Sequence, residues 1–201
     1  MEQLYRKQTM MSLKLCFLFS FLVLISNAHL KCKEADPLLL KWNSTQIYGK
    51  WIYIGGVADD EETEKMLNIS DSAWMDFQPL NNSHVTIWQT ARIGEPCLNS
   101  TFYFNISEES GYLLLQAPHL TGRVFPEFKK CLHIYFIYEK PSNTTVRLHY
   151  LYSRTKNVRD SCMAEFKKRL QCYGISPVNL IIVPQLKEQC PSKEETEIKT
   201  E

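Results

Sequence analysis

No apolar run in the chain reaches the roughly 20 residues that a helix needs to cross a bilayer. The best stretch, Leu15 to Ile25, is too short. Charge of one sign is missing too: 23 Lys+Arg stand against 22 Asp+Glu, a formal net charge of +1. Nothing electrostatic therefore points to nucleic acid or a strongly charged membrane surface as partner. The cysteines form no C-x-x-C pair and no Cys/His spacing suits zinc, so no metal site and no cofactor is expected. His84, His119, His133 and His149 are scattered, with no G-x-S-x-G elbow or H-E-x-x-H pair beside them, which argues against hydrolase and metalloprotease chemistry.

What the chain does have is a set of export signals. Arg6, Lys7 and Lys14 precede the apolar run, which ends in small residues, and Ser26 with Ala28 marks a cleavage site after residue 28. The expected division is a signal peptide over 1–28, one folded domain over 29–190 and a charged, disordered tail over 191–201. An uncleaved signal acting as an anchor is the alternative; with the signal removed, no transmembrane segment is expected. Cys16 goes with the signal, and Cys32, Cys97, Cys131, Cys162, Cys172 and Cys190 follow it. An even count in an exported chain implies three disulfides, whose pairing the spacing leaves open. Asn43, Asn68, Asn81, Asn99, Asn105 and Asn143 each open an N-x-S/T triplet, where ordinary composition would supply about one. Used sites must face solvent, so a secreted, extracellular glycoprotein is expected.

From Gly49 to Ser153, short β-rich runs alternate with turn residues, which predicts an all-β domain. Strands are expected near 50–57, 73–79, 83–91, 99–106, 111–116, 120–126, 131–138 and 145–152. Eight strands at this spacing predict a closed antiparallel up-and-down barrel, with a sandwich as alternative. If Asn99 and Asn105 carry glycans, their face is outside and Phe102, Phe104 and Ile106 point inward. The same alternation turns Met75 and Phe77, then Leu132, Ile134, Phe136 and Tyr138, then Val146, Leu148, Tyr150 and Tyr152 inward. It turns His133 and His149 towards solvent. Met163, Phe166 and Leu170 recur at helical spacing within a helix over 160–171 that would pack on the barrel wall. Asp160 suits its N-terminus, Lys167, Lys168 and Arg169 its C-terminal dipole, and Gly174 its stop. A short extra strand is expected over 179–183.

The segment Gly49-Lys50-Trp51 resembles the G-x-W signature of the lipocalins. With the cysteines and sequons around it, the chain is similar to the branch of orosomucoid (alpha-1-acid glycoprotein) and apolipoprotein M, from Cys32 to about Cys190. The sequons at Asn43 and Asn99 fall where the orosomucoid family has them. The resemblance implies disulfides Cys32–Cys172 and Cys97–Cys190 on the orosomucoid side and Cys131–Cys162 on the apolipoprotein M side. Each would close a loop of more than 15 residues, worth roughly 3 kcal/mol or more in the chain-entropy model. Leu151-Tyr152-Ser153-Arg154 departs from the family's usual T-D-Y-like motif.

For function, the resemblance implies a carrier of small lipophilic or amphipathic molecules, with Trp51 plugging the closed end of the barrel. Tyr53, Met75, Phe77, Phe102, Phe104, Phe136 and Tyr152 are the expected pocket residues, and Arg123 is the candidate cation inside the barrel, with an exposed strand or loop arginine as the alternative. The same side chains could instead fill a closed core, as in small barrels. An orosomucoid-like monomeric plasma carrier, with acute-phase or toxin- and drug-binding roles, is the first reading. The alternative is an apolipoprotein M-like carrier of a signalling sphingolipid, whose partners would be lipoprotein particles or a cell-surface receptor. An enzyme is not expected, because all six cysteines beyond the signal have implied partners and no thiolate is left to act.

Overall fold

The computed structural model describes residues 44–109, 112–128, 130–185 and 187–192. The expected signal peptide, Cys32, Asn43 and nearly all of the expected tail lie outside the described residues. The elements are β1 (Gly49–Ala58), α1 (Glu61–Asn68), β2 (Ser70–Asn81), β3 (His84–Ile93), β4 (Cys97–Glu109), β5 (Tyr112–Ala117), β6 (Leu120–Phe128), β7 (Cys131–Glu139), β8 (Thr145–Ser153), α2 (Asp160–Cys172) and β9 (Ile181–Ile182). From β2 to β8 each strand pairs antiparallel with the next, and β1 pairs with both β8 and β2, so eight strands close into a barrel. β9 adds to β1 at Gly55 and Gly56.

Alternation on β4 puts the sequon asparagines on the outer face. On β4, Asn99, Thr101, Tyr103 and Asn105 are exposed, Phe104 is buried, and Phe102 and Ile106 are half-buried. A register shift in β1 between Tyr53 and Gly55 has a larger effect. Plain alternation puts Trp51 and Tyr53 in the barrel core and Ile52 and Ile54 in a second apolar cluster on the wall, and the shift brings Val57 to that same cluster. There they meet Phe166 and Leu170 of α2, both fully buried. The disulfide Cys131–Cys162 ties the first turn of α2 to β7, and Gly174, at φ +75°, follows the helix in the left-handed conformation.

The covering helix changes one expectation. His133 and His149 do project from the outer face of the barrel, but α2 lies over them, and they are 0% and 1% exposed. Their Nε2 and Nδ1 atoms sit 3.2 Å apart. Phe166 meets His133 edge-on, and Tyr135 stacks on His149. Strand parity tells inside from outside; it does not tell solvent from the underside of a helix.

The helix α1 went unread in the sequence because it is almost wholly polar, with Leu67 its one buried side chain. Its signal is capping: Asp60 accepts from the Thr63 amide at 3.0 Å, and Glu61, Glu62 and Glu64 fill the first turn. Lys140, in the β7–β8 connection, donates to Asp60 at 2.9 Å and Glu62 at 3.2 Å. Those bonds, with Thr63, hold the Asp60 carboxyl down to about 2.

At the other end of the barrel the ring of Trp51 is 2% exposed, and its Nε1 donates to the Ile47 carbonyl at 2.6 Å. The guanidinium of Arg154 lies 3.6 Å over that ring. It donates to the carbonyls of Lys50 (2.7 Å), Gln46 (3.0 Å) and Tyr48 (2.7 Å). The family motif is absent at Leu151–Arg154, yet the arginine at its end closes the barrel.

Arg154→Met, which keeps the stem but removes the charge-assisted bonds, is expected to cost about 2 kcal/mol, read as a lower urea midpoint at unchanged slope. A second expectation concerns pH. Burial, the neighbouring His133 and Arg169 push the His149 imidazole down from 6.5 to about 3. Between those values the unfolded chain binds a proton that the folded chain refuses, so stability falls as pH drops through that window. Urea midpoints are expected to be lower at pH 5 than at pH 7, and the gap to narrow in His149→Phe; an unchanged gap would assign the proton to another group.

Candidate functional site

The interior divides along the barrel axis. At the closed end Trp51 pairs across strands with Met75, and Phe77 lies opposite Gly49. Met75 and Phe77 are each 1% exposed and belong to one packed cluster with Val85, Ile87, Leu113, Leu115, Val124, Leu132 and Ile134. Higher in the barrel the aromatic rings form a chain. Tyr152 and Tyr53 are 5.4 Å apart between centroids, Tyr53 and Tyr150 5.4 Å, and Tyr150 and Phe136 6.1 Å. Phe136 and Phe104 follow at 6.4 Å, and Phe104 and Phe102 at 6.2 Å.

Beside the tyrosines, towards α1, lies a cavity of about 80 Å³ lined by Tyr53, Tyr150, Tyr152, Leu67, Ser70, Ala73, Trp74, Gln89 and Ala91. Of the residues expected from the sequence, Tyr53 and Tyr152 line it. Met75 and Phe77 belong to the packing at the closed end, while Phe102, Phe104 and Phe136 stand along the inner wall. Tyr150, Gln89, Leu67 and the small residues were not singled out. The signal for Tyr150 was its shared parity with Tyr152, and for Gln89 its shared parity with Val85 and Ile87.

No charged residue lines this cavity. Arg123, expected inside the barrel, is on the outer wall. Gly122 and Val124 take the inward positions of β6, and the Arg123 guanidinium lies 5.4 Å from the Tyr112 ring. The glycine decides this parity, because a Cβ at residue 122 would stand 2.7 Å from the Phe136 ring. The inward face of β6 leaves that space to Phe136.

Burial pushes the hydroxyls of Tyr53, Tyr150 and Tyr152 well above the usual phenol range, so all three stay neutral. The Tyr53 hydroxyl is buried without a hydrogen-bond partner among the described residues. Gly56 makes the cluster possible. A Cβ there would lie 2.6 Å from the His149 carbonyl, 2.6 Å from the Tyr150 ring and 2.7 Å from the Tyr53 hydroxyl.

The remaining expected sites are on the surface or in the covalent frame. Asn68, Asn81, Asn99, Asn105 and Asn143 are exposed. Cys97 is bonded to Cys190, and Cys172 is also disulfide-bonded. The Trp74 indole donates to the Cys190 carbonyl at 2.9 Å, which fastens the C-terminal segment along β2. Among the described residues no group of three or more His, Cys, Asp or Glu could hold a metal ion. No helix among them is long and apolar enough to cross a membrane.

A family model described as lipocalin / cytosolic fatty-acid binding protein matches residues 48–187. The chain belongs to this family. Among solved structures, the lipocalin barrel is similar to that of the siderocalin Ex-FABP, with a TM-score of 0.63 and 16% identity over 72% of this chain and 96% of that one. It is likewise similar to odorant binding protein OBP1, with a TM-score of 0.59 and 14% identity over 74% of this chain and 98% of that one. At these identities the likeness is one of fold. No curated protein sequence gives a significant match. Lipocalins bind small hydrophobic ligands and are generally carriers rather than enzymes.

Gly56→Ala is expected to destabilise the protein by about 1–3 kcal/mol, since neither the His149 backbone nor the two rings can yield freely. The tyrosine near-ultraviolet circular dichroism should change with it; a variant as stable as the parent would refute the close packing.

Proposed function

We propose that this lipocalin is a secreted carrier that binds a small lipophilic ligand at the tyrosine end of its barrel. The observation that carries the reading is an apolar, aromatic cavity with a few polar groups and no charge, the usual make-up of a small-molecule site. Cys97–Cys190 and Cys131–Cys162 suit an oxidising, extracellular compartment. The secretory reading includes a signal peptide over 1–28, a folded domain over 29–190, a tail over 191–201, and glycans on the exposed asparagines. Within the family we favour the orosomucoid-like role of a monomeric plasma carrier over the apolipoprotein M-like one. A phosphorylated sphingolipid would need a cation beside its head group, and with Arg123 on the outer wall the cavity lining supplies none.

The cavity, at about 80 Å³, is smaller than the roughly 300–1,000 Å³ of drug-sized sites. A ligand would therefore enter with one end and lie in the mouth under α1, where Leu67 is the side chain to displace. The test is titration of the secreted, disulfide-intact protein with N-phenyl-1-naphthylamine. A saturable, blue-shifted emission at about one dye per chain is expected. Emission no different from that with unfolded protein would overturn the carrier reading.

A further inference from the structure

We infer that the exposed ring of Tyr103 on β4 seats the first N-acetylglucosamine of a glycan on Asn105, so that this one sugar packs on the barrel wall as part of the fold. The inference rests on the secretory reading, in which the exposed asparagines carry glycans, and is independent of the ligand.

Tyr103 and Asn105 are two residues apart on one strand, so their side chains leave the same face about 7 Å from each other. That face is the outer one: Thr101, Tyr103 and Asn105 are exposed, while Phe104 is buried. At 66% exposure Tyr103 is the most open tyrosine among the described residues, ahead of Tyr173 at 41%. Its cross-strand partner on β3 is Thr86, and the ladder to β5 begins only at Asn105, opposite Gln116. The ring thus has one small side chain paired beside it on one strand and no paired residue on the other. Across the ladder from Asn105 stands His84. Its Nδ1 is held to Asn81 at 2.8 Å and to Ser83 at 2.9 Å, which leaves the Tyr103 side of Asn105 open.

The chemistry of the sugar fits the ring. The first N-acetylglucosamine is joined to the asparagine amide nitrogen, and one of its faces presents only C–H groups, whose hydrogens are weakly positive. The face of a phenol ring is negative, and stacking the two takes apolar surface of both out of water. The other sequons supply a contrast within the same chain. Two residues before Asn68, Asn81, Asn99 and Asn143 stand Met66, Pro79, Cys97 and Pro141, and before Asn43 stands Lys41. Asn105 alone has an aromatic residue at that position. Asn99 shares the strand face, but Tyr103 is four residues, about 13 Å, from it.

The experiment is a double-mutant cycle on the full secreted, disulfide-intact protein, read as thermal midpoint. The protein is made with oligomannose glycans, which an endoglycosidase trims to one N-acetylglucosamine each, and peptide mapping gives the occupancy of Asn105. Asn105→Gln is expected to lower the midpoint by about 2–4 °C in the parent and by less than about 1 °C in Tyr103→Ala. Tyr103→Phe, which keeps the ring, should retain the full loss, and trimming to the single sugar should leave the difference unchanged. Ser107→Ala removes the same glycan while keeping Asn105, and should reproduce the cycle. Asn99→Gln should shift both backgrounds equally; a coupling there as large as at Asn105 would show Tyr103 acting through the fold and overturn the inference. An equal loss from Asn105→Gln in parent and Tyr103→Ala, or none in either, would overturn it as well, as would a difference that disappears on trimming. An unoccupied Asn105 would remove the glycan reading at this site and the inference with it.

Discussion

The cation held over Trp51 is the contact on which the rest of the barrel depends. A closed sheet has no edges to protect, but it has two ends, and one must be shut for the interior to stay dry. Here one guanidinium does this. Arg154 covers the indole at 3.6 Å and gathers the carbonyls of Gln46, Tyr48 and Lys50. The carbonyls of Gln46 and Tyr48 belong to the segment that leads into β1 and that of Lys50 to its second residue, and Arg154 follows directly on β8. The same group thus locks the seam where the first strand meets the last. A lysine could not do it, since one ammonium lacks the flat face for the ring and the fork for three acceptors.

From that seam the register shift in β1 completes both apolar clusters. Trp51 and Tyr53 enter the barrel; after the shift Gly56 and Ala58 do, while Ile52, Ile54 and Val57 turn to the helix. A strand without the shift would have kept strict alternation, carried Gly56 outward with Ile52 and Ile54, and turned Val57 into the barrel. Gly56 comes inward where Tyr53 and Tyr150 need room, so a local irregularity in the backbone positions the tyrosines that line the cavity. The wall cluster then draws α2 over His133 and His149. Burying the His149 imidazole there makes the packing of the helix sensitive to acid.

How much of this was legible in the sequence depends on the range of the contact involved. Strand positions and the inward set on β4, β7 and β8 follow from period-two alternation, with Asn99 and Asn105 marking the outside. The helix read over 160–171 follows from Met163, Phe166 and Leu170. Three things did not follow. The parity of Arg123 hung on Gly122, whose lack of a side chain matters only once Phe136 is placed beside it. The burial of His133 and His149 required knowing where α2 lands. The role of Arg154 was hidden by a departed motif, because its partners are main-chain carbonyls that leave no trace in residue type. Tyr53 and Tyr152 could be read as inward, but the division of the interior into packed and open halves could not. It arises from Ala73, Ala91 and Gly56 leaving space together.

The two ends of the barrel use opposite electrostatics, and that contrast bears on how a ligand could be held. At the closed end a full charge is tolerated because three carbonyls and an aromatic face replace its water. At the tyrosine end there is no ion, and the charges of α1 are kept outside: Lys140 pairs with Asp60 and Glu62, and Arg147 with Asp59. These pairs fix the start of α1 while Leu67 near its other end is the part that meets the cavity. The C-terminal end of α1 carries no such ion pair among the described residues: Leu67 and the hydrogen bonds of the Ile69 amide and the Ser70 hydroxyl hold it, so displacing Leu67 unpairs no charge. Opening the barrel past Leu67 would uncover one apolar side chain, whereas opening the opposite end would expose Trp51 and release Arg154 from three carbonyls.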